Sequence, residues 1–354
     1  MRRVAALALT VVLSSCTSTA ATHPASGPQA TATGGRSATA TGPAASAKAS
    51  ASVTGQATPG ATGTGSAATS SAASVAHPVV ASVGTFPYPL SRMAATTDGS
   101  RVILLGGLRN GASSADVFAF DPVTHRVRRL GALEKPVHDT AAGTAGGTVM
   151  LVGGGAATEA ADVQALQVSG GTRRVGTLPQ PRSDLSVVTV GSTLYVVGGY
   201  TGAADTPDIL ATTDGVHFRV VGRLKVTVRY AAVVAVGTDI WVIGGDHQFA
   251  PTAVVQRIDT LTGRVTLVGR LAHPLGHASA WLTPAGTVLV AGGTLTNSTR
   301  TDAISRFDPR TLALTRVARL PRPTSDMGVA VVGGVAYLFG GETPARIGGI
   351  VSVS

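Results

Sequence analysis

Val102-Ile103-Leu104-Leu105-Gly106-Gly107 is an apolar run ending in two glycines, and it recurs along the chain. The same pattern ends at Gly153–Gly154, Gly198–Gly199, Gly244–Gly245, Gly292–Gly293 and Gly340–Gly341, at spacings of 47, 45, 46, 48 and 48 residues. Before each run comes a tight turn and another β-rich stretch, such as SVVTV (186–190) or AAVVAV (231–236). After it come a variable polar loop, a third run such as DVFAFD (116–121), and a fourth such as RVRRL (126–130). Four short strands per unit, with no helical period, read as the blades of a β-propeller. One blade cannot cover both faces of its own sheet, whereas blades stacked around an axis cover one another. A residue without Cβ allows backbones to crowd and permits positive φ where the chain leaves a strand.

Six diglycines predict six blades, an all-β fold of four-stranded antiparallel sheets. Only thirteen residues follow Gly341, enough for a third strand over 346–354 but not a fourth. SVGTFPYPLSR (82–92) matches RVGTLPQPRSD (174–184) at six of eleven positions, and the latter spans the end of one blade and the start of the next. Residues 79–85 are therefore expected to supply the outer strand of the sixth blade and to close the ring against the C-terminal strand. The propeller is expected to occupy residues 77–354.

FDPVTHRV (120–127) and FDPRTLAL (307–314) place an aromatic before a DPxT turn, and RIDTLTGRV (257–265) does so loosely. With the diglycines, these motifs resemble the kelch family and the kelch-like modules of galactose oxidase. The family's outer-strand Trp is replaced by Val127, Leu314 and Val265, with Phe218 in the third blade. The resemblance covers about residues 79–354 and implies the propeller fold rather than any one activity.

The chain opens Met-Arg-Arg, followed by an apolar run from Val4 to Leu13, whose last residue begins Leu-Ser-Ser-Cys ending at Cys16. That run is too short to span a bilayer and reads as an export signal. Its end resembles the bacterial lipobox, with Cys16 as the lipidated residue. The alternative is an ordinary signal peptide cut nearby. Cys16 is the only cysteine in the 354 residues, so no intramolecular disulfide is possible. Residues 17–76 are almost entirely Ala, Thr, Ser, Gly and Pro, a composition that cannot bury enough apolar surface to order itself. They are expected to act as a tether. The expected address is the outer face of the cell membrane.

The formal charge is +10, carried mostly by Arg scattered across the repeats. Nucleic-acid recognition would ask for a basic stripe with interleaved aromatics, and none is present. The same excess suits anionic wall polymers or headgroups. Copper–radical chemistry of the galactose oxidase type would need a cysteine-crosslinked tyrosine, which a chain with Cys16 alone does not offer. GxSxG, HExxH and zinc-spaced Cys/His clusters are also missing from the sequence. TTDGVHF (212–218) departs in spacing from the sialidase Asp-box and reads as a hairpin turn at Asp214-Gly215. Trp241 and Trp281 are expected on inner strands, as core between blades or as sugar platforms. No cofactor or metal is implied.

Aligning the repeats on LPQPRSD, LPRPTSD, FPYPLSR, LEKPVHD, LAHPLGH and LKVTVRY puts one residue per blade at the start of its inner strand. These are Arg92, Asp139, Asp184, Tyr230, His277 and Asp326, expected to ring the mouth of the central channel. Arg109, Asn110, Tyr200, Asp246, His247, Gln248, Asn297 and Glu342 follow the diglycines and should border the same face. Such a mouth suits a polar ligand, a sugar, a peptide or a cation. Solvated strand ends and Asp side chains capping backbone amides would look the same in sequence. The reading that follows is a monomeric, lipid-anchored binding or scaffold module for an extracytoplasmic protein or cell-wall polymer. The alternative is an envelope glycan lyase or hydrolase using His277 or Tyr230 with the ring carboxylates.

Overall fold

The computed structural model describes residues 77–354, so the expected export signal, Cys16 and the expected tether over 17–76 lie outside the described residues. The described chain is all-β apart from a short 3-10 turn at Thr296–Ser298. Among the described residues no helix is long and apolar enough to cross a membrane.

Six four-stranded antiparallel sheets form six blades. Blade 1 runs Ala94–Thr97, Val102–Leu105, Asp116–Phe120 and Val127–Ala132. Blades 2 to 5 repeat it with first strands at Ala141–Ala145, Ser186–Val190, Ala232–Val236 and Ser279–Leu282. Blade 6 takes Gly328–Val332, Val335–Phe339 and Gly349–Val353 from the C-terminal end, and its outer strand is Val80–Thr85, paired from Val80↔Val353 to Thr85↔Gly349. First strands of adjacent blades flank the axis. Apolar residues on both sheet faces form clusters between neighbouring blades. One cluster between blades 6 and 1 holds Phe86, Phe118, Phe120, Tyr337 and Phe339, with Phe120–Phe339 ring centroids 5.3 Å apart.

The diglycines are explained by sterics between blades. In each pair the second glycine's N–H donates to a carbonyl of the next blade, as Gly245 does to Leu275 at 2.8 Å and Gly341 to Leu90 at 3.0 Å. A Cβ on the first glycine, Gly244, would collide with that same Leu275 carbonyl oxygen. A Cβ on Gly245 would lie 2.8 Å from the Arg229 carbonyl of its own blade. Both glycines have positive φ, +62° and +97°. The pair is thus the point where a blade meets its own entry segment and its neighbour's at once, and any side chain would push the two apart.

Trp281 lies on the innermost strand of blade 5, but Trp241 lies on the second strand of blade 4. The expectation that both sit on inner strands is corrected for Trp241. It is an apolar residue in the strand that runs into the diglycine, and it packs edge-on to Phe307 at 5.5 Å. Both indoles are buried in inter-blade clusters. Asp214-Gly215 forms the turn between the third and fourth strands of blade 3, with Asp214 Oδ1 accepting from the amides of Val216 and His217.

Candidate functional site

Each blade begins with one residue in the left-handed region: Arg92 (φ +55°), Asp139 (+49°), Asp184 (+57°), Tyr230 (+51°), His277 (+56°) and Asp326 (+58°). The left-handed turn aims each N–H at the preceding blade and each C=O at the following one. Asp139 N donates to Arg92 O, Asp184 to Asp139, Tyr230 to Asp184, His277 to Tyr230, Asp326 to His277 and Arg92 to Asp326, all at 2.9–3.1 Å. Six backbone hydrogen bonds thus close a belt around the axis. Asp and His tolerate the left-handed region better than most residues. Part of the ring's acidity therefore reflects the backbone itself. Arg92 and Tyr230 have no such excuse.

All six aligned residues are brought together and line one cavity of about 140 Å³. The residue before each ring position bridges to the loop after its own diglycine: Ser91 to Leu108, His138 to Gly155, Ser183 to Tyr200, Arg229 to Asp246, Gly276 to Thr294 and Ser325 to Glu342. Ring and loops therefore share a face.

The side chains do not converge on one point. Each ring carboxylate has a cation of its own. Arg92 Nη1 lies 3.2 Å from Asp139 Oδ2, Arg229 Nη1 3.3 Å from Asp184 Oδ2, and His277 Nδ1 2.6 Å from Asp326 Oδ1. Two of the loop residues complete the network: Arg92 Nε reaches Glu342 Oε1 at 2.9 Å, and His277 Nε2 reaches Asp246 Oδ2 at 3.2 Å. Arg92 also crosses the axis to Tyr230 in the opposite blade, Nη1 to hydroxyl 3.4 Å. Tyr230 stacks on His277 with centroids 4.0 Å apart. Among the described residues no group of three or more His, Cys, Asp or Glu side chains is placed to hold a metal ion.

The electrostatics follow from that pairing. Burial opposes charge on His277, but hydrogen bonds to Asp246 and Asp326 win and hold its proton up to about 10. Asp326 is also buried, yet the His277 bond and charge keep its carboxyl below the usual range. Asp139 goes the other way: burial, with Asp184 and Asp326 nearby, raises it to about 7 despite Arg92. Burial likewise raises Asp184 and, with Asp139 and Asp184 beside it, Tyr230. A His that keeps its proton and a Tyr pushed upward are both poor bases at neutral pH. Asp139 Oδ1 is buried without a hydrogen-bond partner among the described residues.

The border of this face carries an aromatic–cation cluster. Phe249 is 71 % exposed at the tip of the hairpin joining Asp246–His247 to Ala250–Pro251. The Arg229 guanidinium lies 4.1 Å from the Phe249 ring centre and 5.1 Å from that of Tyr200. Gln248 and Phe249 both have positive φ, +50° and +68°, an uncommon conformation for a bulky residue.

Sequence reasoning missed three buried polar groups. Arg182 is 1 % exposed at the position held by Leu90, Val137, Val228 and Leu275 in other blades, and it donates to the Gly198 and Asp208 carbonyls. Gln164 and Gln256, in the third strands of blades 2 and 4, clamp the entry segments of Lys135 and of Lys225–Val226 through both ends of their amides. Comparing residues at equal repeat positions would have exposed Arg182 as a polar outlier. The glutamines carry no such signal, because third strands mix polar and apolar residues.

A model of the Kelch motif matches residues 89–133 and 181–212, which take in blade 1 and much of blade 3. No curated protein sequence matches the chain. A solved structure titled "Structure of YjhT" superposes with a TM-score of 0.65 over 77 % of this chain and 96 % of that one, at 14 % identity. That likeness speaks for the fold. The motif matches, which take in two of the six blades, agree with that fold.

Proposed function

We propose that the protein is an exported, lipid-anchored binding module whose ring face takes hold of an extracytoplasmic protein or cell-wall polymer. One observation supports the ring as the point of contact: the unpartnered, buried Asp139 Oδ1 in a cavity walled by all six ring residues. A buried carboxylate oxygen without a donor is costly, and a partner's N–H group entering the mouth would relieve that cost. The group that fits is a lysine or arginine tip, or an amino group on a wall polymer. Around it, Phe249, Tyr200 and Arg229 are residue types that commonly anchor interfaces.

The experiment is co-purification of full-length protein from envelope extract, followed by titration of the recovered partner against Asp139→Asn. Loss of binding by at least tenfold is expected. A partner that binds Asp139→Asn and wild type equally would remove the ring from the reading. The anchor has its own test: Cys16→Ala is expected to shift the protein from the membrane to the soluble fraction, and unchanged fractionation would overturn it.

A further inference from the structure

Each first strand starts at the ring face and the strands of a blade alternate in direction. The turns joining first to second and third to fourth strands therefore lie on the opposite face. In blade 4, Thr260 Oγ1 of one such turn donates to the Thr238 carbonyl of the other at 2.7 Å. Near the axis this face is built of glycine turns, such as Gly146–Gly147 and Gly333–Gly334. Its rim carries apolar tips. Of the nine large hydrophobic residues exposed among the described residues, five stand there. Val123, Val168, Val216 and Leu261 lie in the third-to-fourth turns of blades 1 to 4, and Val79 lies where the chain enters blade 6. Blade 5 has the exposed Arg310 at this place. Single exposed aliphatic residues are ordinary, but one in the same turn of four successive blades is a pattern.

Local hydrogen bonds fix the tips. Asp121 Oδ1 accepts from the amides of Val123 and Thr124, Asp214 Oδ1 from those of Val216 and His217, and Asp259 Oδ1 from those of Leu261 and Thr262. In each case the tip is two places after the aspartate, as Arg310 is after Asp308. Arginines accompany the tips: Arg126, Arg128, Arg173, Arg219 and Arg264 are exposed in these turns or within two residues of them. Among the described residues, neither they nor Arg310 has an acidic side chain within ion-pair distance, whereas outer-strand arginines that reach towards the ring face are paired. Arg129 meets Asp116, Arg174 Asp162, Arg223 Asp208 and Arg319 Asp302. The other two aspartates of this opposite face, Asp98 and Asp239, are taken up by Arg101 and Arg257.

We propose that this face docks on an anionic lipid bilayer. The aliphatic tips enter the boundary between headgroups and acyl chains, and the free arginines meet headgroup phosphates. The layout selects a lipid surface over a protein. A protein interface centres on a contiguous, well-packed patch with aromatic anchors. Here the tips are set apart, one per blade around a rim, and Phe249, the one aromatic among the nine exposed residues, is on the ring face. Rotational repetition holds equivalent turns at one level, and a fluid plane can receive them all at once. The chain also enters the propeller through this face, at Val79. Docked this way, the propeller turns its ring mouth away from the membrane, open to a partner. The contact needs no lipid on Cys16, so it stands or falls apart from the anchor.

The test uses full-length protein carrying Cys16→Ala and one introduced thiol, Val123→Cys, Leu261→Cys, Val220→Cys or Phe249→Cys, labelled with the environment-sensitive dye nitrobenzoxadiazole. Vesicles are phosphatidylcholine with or without an equal part of phosphatidylglycerol. The proposal expects dye emission to rise at least twofold at 123 and 261 on the anionic vesicles and to stay unchanged at 220 and 249. Replacing Arg126, Arg219 and Arg264 by Gln is expected to cut the rise at 123 at least threefold. All the substituted side chains are exposed, so the fold is not at stake. A protein held to the vesicle only by its N-terminal apolar run would respond alike at all four positions. Equal responses at 123, 220 and 249, or none at 123, would overturn the proposal. So would the same rise with soluble polyphosphate in place of vesicles, which would mark the face as a site for free anionic polymer.

Discussion

His277 and Asp326 are joined twice: Asp326 N donates to the His277 carbonyl at 3.1 Å, and His277 Nδ1 lies 2.6 Å from Asp326 Oδ1. The backbone contact belongs to the belt that every blade shares. The side-chain contact belongs to this blade pair alone. The same residues thus carry the scaffold in one set of atoms and the individuality of the mouth in another.

That pair sets a pH dependence. The His277 pKa is raised from 6.5 in a free side chain to about 10, so its contribution to stability is complete below about pH 6.5 and is lost as pH rises towards 10. His277→Gln should flatten the fall in melting temperature between pH 7 and 10. A wild-type imidazole that titrates near 6.5 by NMR would contradict the assignment.

Asp139 runs in the opposite sense to an ordinary paired carboxylate. Its pKa is raised to about 7, so the ionised form is disfavoured in the folded state and stability is lost as pH rises from about 4 to 7. Asp139→Asn should be more stable relative to wild type at pH 8 than at pH 4, as read by denaturant midpoints at the two pH values. A constant difference would show that Asp139 titrates normally.

The diglycine argument predicts a contrast between two glycines of nearly equal φ. Gly237, at +59°, has nothing within 4 Å of a built Cβ, and Gly237→Ala should cost only the left-handed penalty of about 1–2 kcal/mol. Gly244, at +62°, faces the Leu275 carbonyl, so Gly244→Ala should cost at least about twice as much, since backbone has to move. Urea denaturation of the two variants decides it.

Arg182 occupies an aliphatic position, is 1 % exposed, and leaves its Nε without a partner among the described residues. Burial lowers its pKa to about 10. Burying a charge that has no ion partner is costly, so Arg182→Leu, which removes that charge at a position aliphatic in other blades, should raise the urea midpoint or leave it unchanged. A clear fall would show that its bonds to the Gly198 and Asp208 carbonyls are needed to hold blade 3.

Six blades and four strands were legible because the diglycine is a steric requirement that no substitution meets, so it survives where the outer-strand Trp has drifted to Val127, Leu314 and Val265. The six ring positions were legible for the same reason, being fixed in register to that motif. What each ring side chain does was not. Asp139, Asp184 and Asp326 are alike in sequence, yet one titrates near 7 and another is held below the usual range. The difference comes from Arg92, Arg229 and His277 reaching across from neighbouring blades, and from Asp246 and Glu342, the residues directly after their diglycines, which pair with His277 and Arg92. Such distances are not encoded in repeat spacing.

The belt has one more implication. Because it is made solely of N–H and C=O groups, no side chain at the six positions is needed to keep the ring closed. Each blade can therefore change its letter at the mouth without breaking the belt, within the tolerance of a left-handed backbone. The propeller is in that respect a six-character display whose text can be rewritten without resetting the frame.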